Sequence, residues 1–199
     1  MHDVVNDSKG RALVAEIAVK DYDIQFFNWL FENEPSSILS KDDRGRTLAH
    51  IAVEQFSDLY VLKHLFSEAP GLIRGKDFEG RTLAHIAVEK GHQRVLEWLL
   101  KKEANLIYSV DNQSRTLAHV AVAEEHEHIL ELLLRKRLGL IHQVDSEGRT
   151  LVHTALEKGS KYTLNPLSKI AAEYDDTNLL ALLLKKEPSL AYGVDSKGR

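Results

Sequence analysis

The sequence predicts an all-α fold made of stacked helix–turn–helix repeats. Three observations predict it. An aspartate opens a recurring phrase: "DSKGR" at 7–11, "DDRGRT" from 42, "DFEGRT" from 77, "DNQSRT" from 111, "DSEGRT" from 145 and "DSKGR" again at 195–199. After the opening phrase come apolar residues at helical spacing, in two segments. Pro35, Pro70 and Pro188 hold one equivalent position past the second segment, where proline stops a helix.

The aspartates are separated by 35, 35, 34, 34 and 50 residues. A fixed period of this length marks a repeat protein. The repeats run 7–41, 42–76, 77–110, 111–144 and 145–194, and a further one begins at 195. The expected organisation is a single array over 1–199. Because residues 195–199 only open a repeat, the sequence reads as a piece of a longer array.

Repeat 3 justifies the elements in order. "DFEG" has Asp first and Gly fourth, a turn signal. Thr82 precedes "LAHIAVE" and can cap a helix through its hydroxyl. That helix is apolar at Leu83, Ala84, Ile86, Ala87 and Val88, too many for one face, so it is expected to be covered on most sides. "KGH" at 90–92 breaks it. In "QRVLEWLLKK", Val95, Leu96, Leu99 and Leu100 share a face, and the lysines favour the C-terminal end of the helix dipole. One such pair cannot bury its own apolar face; stacked neighbours can.

Repeat 5 breaks the period. Between "LVHTALEKGS" and "TNLLALLLKK" lies "KYTLNPLSKIAAEYDD", of which "NPLSKIAAEYDD" looks like a second start of a first helix. The expectation is that 159–175 leave the stack and project from it, as insertions in repeat arrays commonly do.

These residues resemble an ankyrin repeat. The resemblance rests on "TLAHIA" at 47–52 and 82–87, "TLAHVA" at 116–121 and "TLVHTA" at 150–155, and covers 7 to 199. Three departures stand out. Leucine replaces the family's proline at the start of the first helix. Repeat 1, "GRALVAEIAV", lacks Thr and His and is rich in aromatics (Phe26, Phe27, Trp29, Phe31). Ser114 stands where the turn glycine belongs. The resemblance implies an L-shaped ankyrin-type solenoid with projecting hairpin loops. It also implies a partner protein bound on the concave surface of loops and first helices, and no catalytic chemistry.

Composition narrows the rest. The chain has 199 residues, 43% hydrophobic and 28% charged, as soluble domains have. A net charge of -4 argues against a nucleic-acid partner. With no cysteine there is no disulfide, thiolate zinc site or cysteine nucleophile. "MHDVVNDSKG" is too polar for a secretory signal, and the longest aliphatic run, "LLALLL" at 179–184, is far short of a membrane span. A cytoplasmic monomer with no cofactor, no metal and no membrane contact is expected.

The candidate residues divide accordingly. His50, His85, His119 and His153 occur once per repeat, whereas a catalytic residue is needed once. The resemblance makes them structural partners of the capping threonine. "EEHEH" at 124–128 places His126 and His128 two apart, off any common helix face. Trp29 and Trp98 share a phase of the second helix, as a packing stripe between repeats or an outer contact stripe. Phe78 lies in a turn the resemblance would expose, as a partner anchor or a lid on the neighbouring turn. Arg46, Arg81, Arg115 and Arg149 precede the capping threonines, and Glu54, Glu89 and Glu157 end the first helices. Each arginine either pairs with its own turn aspartate or a nearby glutamate, or joins a ladder that holds carboxylates of an acidic partner. The candidate partner-binding residues are Arg46, Phe78, Arg81, Glu89, Lys90, Arg115 and Arg149. The expected function is a protein–protein interaction module. The alternative is a targeting or regulatory domain of a larger enzyme.

Overall fold

The computed structural model describes residues 38–55, 57 and 59–186, together with residues 29, 32 and 33. Pro35, Pro188 and the phrase at 195–199 lie outside them. The chain divides into two compact bodies, the first ending at Asn112 and the second beginning at Gln113.

In the first body, α1 (Leu48–Gln55) and α2 (Tyr60–Glu68) belong to repeat 2, and α3 (Leu83–Glu89) and α4 (Gln93–Lys102) to repeat 3. The second body holds α5 (Leu117–Ala123) and α6 (Glu127–Lys136) of repeat 4, then α7 (Leu151–Lys158), α8 (Lys161–Glu173) and α9 (Thr177–Lys186) of repeat 5. Short 3-10 helices follow α2, α4 and α6, at Pro70–Arg74, Ala104–Tyr108 and Leu138–His142. Pro70 starts the first of these, so the proline that cannot continue α2 sets the direction of the link.

The first helices of repeats 2, 3 and 4 are buried nearly all round, whereas α7 buries only Leu151, Val152 and Ala155. In α3, Leu83, Ala84, His85, Ile86, Ala87 and Val88 are all buried. Alanines at 49, 52, 84 and 87 let α1 and α3 pack directly on one another, while α4 covers α3 with Val95, Leu96, Leu99 and Leu100. Each fully buried leucine contributes roughly 1.5–3 kcal/mol.

Each first helix begins with the same device. The Thr82 backbone N–H donates to His85 Nδ1 at 3.2 Å, and the Thr82 hydroxyl lies 2.9 Å from the same nitrogen. Threonine and histidine thus form a reciprocal capping box, with His in the place that Glu or Gln usually holds. The arrangement recurs at Thr47–His50, Thr116–His119 and Thr150–His153. The histidines are structural.

The hairpins of repeats 3 and 4 turn in the same way too. The His92 N–H donates to the Ala87 carbonyl and the Leu96 N–H to the His92 carbonyl, around Gly91 at φ 71°. Repeat 4 copies the pattern around Glu125 at φ 60°.

The expectation that 159–175 project is overturned. Most of these residues form α8, a 13-residue helix that buries Thr163, Leu164, Pro166, Leu167, Ile170 and Ala171. It packs on α6, α7 and α9. The physical reason is its apolar spacing at 164, 167, 170 and 171, which is one helical face, and α6 gives that face somewhere to go. The second start of a first helix is real at the turn that follows. The Asp176 N–H donates to the Ala171 carbonyl and the Leu180 N–H to the Asp176 carbonyl, around Asp175 at φ 54°. Gly159, at φ 64°, makes the corresponding turn between α7 and α8. One helix therefore ends one hairpin and begins the next. Ser160 stands where repeat 3 has His92, whose Nδ1 reaches the Val53 carbonyl at 3.0 Å. The shorter Ser160 hydroxyl is buried without a hydrogen-bond partner among the described residues.

Candidate protein-binding surface

The turn before each first helix is built by its aspartate. Asp77 Oδ1 accepts the backbone N–H groups of Glu79 and Arg81 at 3.0 and 2.8 Å, and Oδ2 accepts Arg81 Nε at 2.8 Å. Asp42 and Asp145 do the same with Arg46 and Arg149. The backbone closes the turn through the Gly80 N–H and the Asp77 carbonyl. Gly80 sits at φ 76°, and a Cβ there would stand 2.3 Å from Asn112 Oδ1, so both conformation and space require glycine.

Neighbouring tips are linked. The Phe78 N–H donates to the Arg44 carbonyl at 2.9 Å, and the Asn112 N–H to the Glu79 carbonyl at 2.9 Å. In the second body the Ser146 N–H donates to the Gln113 carbonyl at 2.8 Å. Lysines add a second line: Lys41 Nζ donates to the Lys76 carbonyl and Lys76 Nζ to the Val110 carbonyl, both at 3.0 Å. Sequence reasoning missed these lysines, although both directly precede a turn aspartate.

Phe78 is 67% exposed at such a tip. Its ring also lies over Gly45, close enough that a Cβ on Gly45 would meet Cδ1 at 2.4 Å. It rests on the neighbouring turn and still shows most of its surface to solvent.

The first-body candidates other than Phe78 join one alternating chain of charge. Asp42 pairs with Arg46, and Arg46 Nη1 with Glu54. Lys90 Nζ lies 4.0 Å from Glu54 and 3.1 Å from Glu89. Glu89 meets Arg81 Nη1 at 3.0 Å, and Arg81 returns to Asp77. The chain exists because the first helix is only seven residues long. An arginine before its start can reach a glutamate at its end. Burial works against the Arg81 charge, but the Asp77 hydrogen bond and the Asp77 and Glu89 charges hold its pKa above the usual arginine value.

In the second body Arg149 repeats the clamp, with Asp145 at 2.8 Å and Glu157 at 3.5 Å, and meets Glu147 at 3.2 Å as Arg81 meets Glu79 at 3.4 Å. Arg115 is half-buried beside Thr116, and its repeat has Ala123 in place of the glutamate. There the ammonium of Lys158, the counterpart of Lys90, donates to the Ala123 carbonyl.

No group of three or more acidic or histidine side chains among the described residues could hold a metal ion. No described helix is long and apolar enough to cross a membrane.

Capped short helices, aspartate-built tips and paired second helices define a helix–turn–helix repeat protein. Residues 84–134 match the family model described as ankyrin repeats in many copies. No curated protein matches the sequence. Ankyrin repeats are in general protein–protein interaction modules, and the fold is typically non-catalytic.

Proposed function

We propose that the chain recognises another protein through its turn tips and the exposed edges of its first helices. The observation that carries this reading is Phe78. A large aromatic side chain stands 67% exposed on a tip whose backbone is fixed from both neighbouring tips. A rigid, exposed aromatic loses little conformational entropy on binding, which suits it to anchor a contact.

Lys90, in the same repeat as Phe78, is exposed, and Glu89 is partly so. They would read charge on the partner. Arg46 and Arg81 have most of their side-chain surface covered, at 13% and 17% exposure. Their contribution would be to hold Glu54 and Glu89 in place and to offer whichever guanidinium edge the clamp leaves. In the second body Arg149 would do the same with Glu157, and Arg115, whose repeat has Ala123 at that position, would present a guanidinium edge only. Taken over 1–199, these surfaces would belong to one array acting as a monomer in the cytoplasm.

The test is affinity capture with the chain as bait, comparing wild type with Phe78→Ala and Lys90→Glu. A partner recognised here is lost by at least about tenfold in affinity with Phe78→Ala, at unchanged melting temperature. A partner that binds both variants as tightly as wild type removes this surface from consideration.

A further inference from the structure

The first body carries a second concave feature, on its second-helix side. α1 and α3 pack directly, but α2 and α4 do not approach as closely. Between them lies a groove of about 760 Å³. Its floor is aromatic and aliphatic. Phe66 of α2 and Trp98 of α4 meet with ring centroids 5.4 Å apart at a tilt of 36°, and Ile73 of the 3-10 helix lies beside them. All three are only half-buried. None of these residues belongs to the turn tips or first helices.

The rim has one sign. Lys63 and Lys102 are exposed, and Lys102 Nζ stands 5.8 Å from the Trp98 ring centroid. Arg74 is 76% exposed in its side chain. The one carboxylate among the described lining residues is Glu103, and Arg74 already holds it, through Nη2 at 2.6 Å and Nε at 2.9 Å. The rim is therefore cationic on a chain whose net charge is -4.

We propose that this groove is a second docking site, for an acidic segment of a partner protein that carries one large apolar side chain. The apolar floor supplies the contact area, and the rim selects the charge around it. The same rim argues against a second copy of this chain as occupant. A two-fold dimer closed groove to groove would bring Lys63, Arg74 and Lys102 of one copy against those of the other. An acidic peptide meets them with opposite charge at every position, and shields the Phe66–Trp98 edge that water now touches.

The experiment uses isotope-labelled full chain and synthetic dodecapeptides rich in Asp and Glu, each with a single central Phe or Leu. Controls replace the apolar residue by Ala, or every Glu and Asp by Gln and Asn. The expected result is a shift of the Trp98 indole N–H resonance on titration, with affinity weakened about fivefold or more by added salt and by Lys63→Glu with Lys102→Glu. Both lysines are exposed, so the double variant should keep the wild-type melting temperature; Lys63→Gln with Lys102→Gln replaces it if melting falls. Phe78→Ala should leave peptide binding unchanged, which separates this site from the turn-tip surface. The proposal is overturned if neutral peptides bind equally well, or if no peptide moves the Trp98 indole. It is also overturned if sedimentation shows that the groove closes by self-association.

Discussion

His119 Nε2 lies 3.2 Å from the backbone carbonyl of Arg149, so one imidazole ties the first helix of repeat 4 to the turn of repeat 5. Its Nδ1 accepts from the Thr116 N–H, which assigns the proton to Nε2 and makes the neutral ring the fitting form. A second proton on Nδ1 would oppose the Thr116 donor. Burial lowers the pKa of His119, and burial pushes His50 down to about 4.

Stability should therefore fall on mild acidification. A depressed histidine pKa means that the unfolded chain takes up the proton first. The contribution is complete above about pH 6.5 and is lost as pH falls toward about 4. For His50 the loss amounts to roughly 3 kcal/mol across that window. Urea denaturation at several pH values checks it. His50→Gln should be less stable at pH 7 but flatter between pH 6.5 and 4, and an equally steep curve in that variant would rule out His50 as the source.

Ser114 holds φ 57° where three other turns have glycine at φ 74–76°. A non-glycine residue in this region costs about 1 kcal/mol or more. Ser114→Gly should raise stability by roughly 0.5–1 kcal/mol after the extra freedom of glycine in the unfolded chain is counted. A drop in melting temperature would mean that the serine side chain makes a compensating contact.

Leu167 is completely buried in α8. Leu167→Ala should cost about 2–5 kcal/mol in denaturant unfolding. A helix that merely decorates the surface would tolerate the change. A loss under about 0.5 kcal/mol would show that α8 is not part of the core in solution.

Arg81 closes the turn through Asp77, whose side chain is 1% exposed. Removing the guanidinium leaves that carboxylate without its charged partner. Arg81→Ala should lower stability by about 2 kcal/mol, and Arg81→Lys should recover only part of it because one ammonium cannot serve both Asp77 and Glu89. The pair Arg81→Ala and Arg115→Ala, measured for melting and for partner binding at low and high salt, separates a turn brace from a contact. Unchanged affinity and unchanged salt dependence would leave the arginines as braces only.

The repeat was readable because each element has a local cause. Thr82 and His85 cap, Gly91 turns, and Val95, Leu96, Leu99 and Leu100 share a face; none of these needs a distant residue. The fate of "KYTLNPLSKIAAEYDD" was not readable in the same way. Pro166 and the polar flanks suited a loop, and only the α6 surface turned Leu164, Leu167 and Ile170 into core. The charges divide along the same line. Arg81 with Asp77 follows from spacing in one turn. Lys90 beside Glu54, and Trp98 against Phe66, arise only when two repeats lie side by side.

α8 has one further consequence, and it concerns direction. A repeat of two antiparallel helices returns the chain to the end from which it set out, so successive turn tips fall in line. Tight turns at Gly159 and Asp175 make α8 run against α7 and α9 run against α8. Three helices are an odd number. α9 thus travels the same way as α7, and its last residues finish at the end where first helices finish, away from the tips. An added helix of this kind is a change of parity in the repeat.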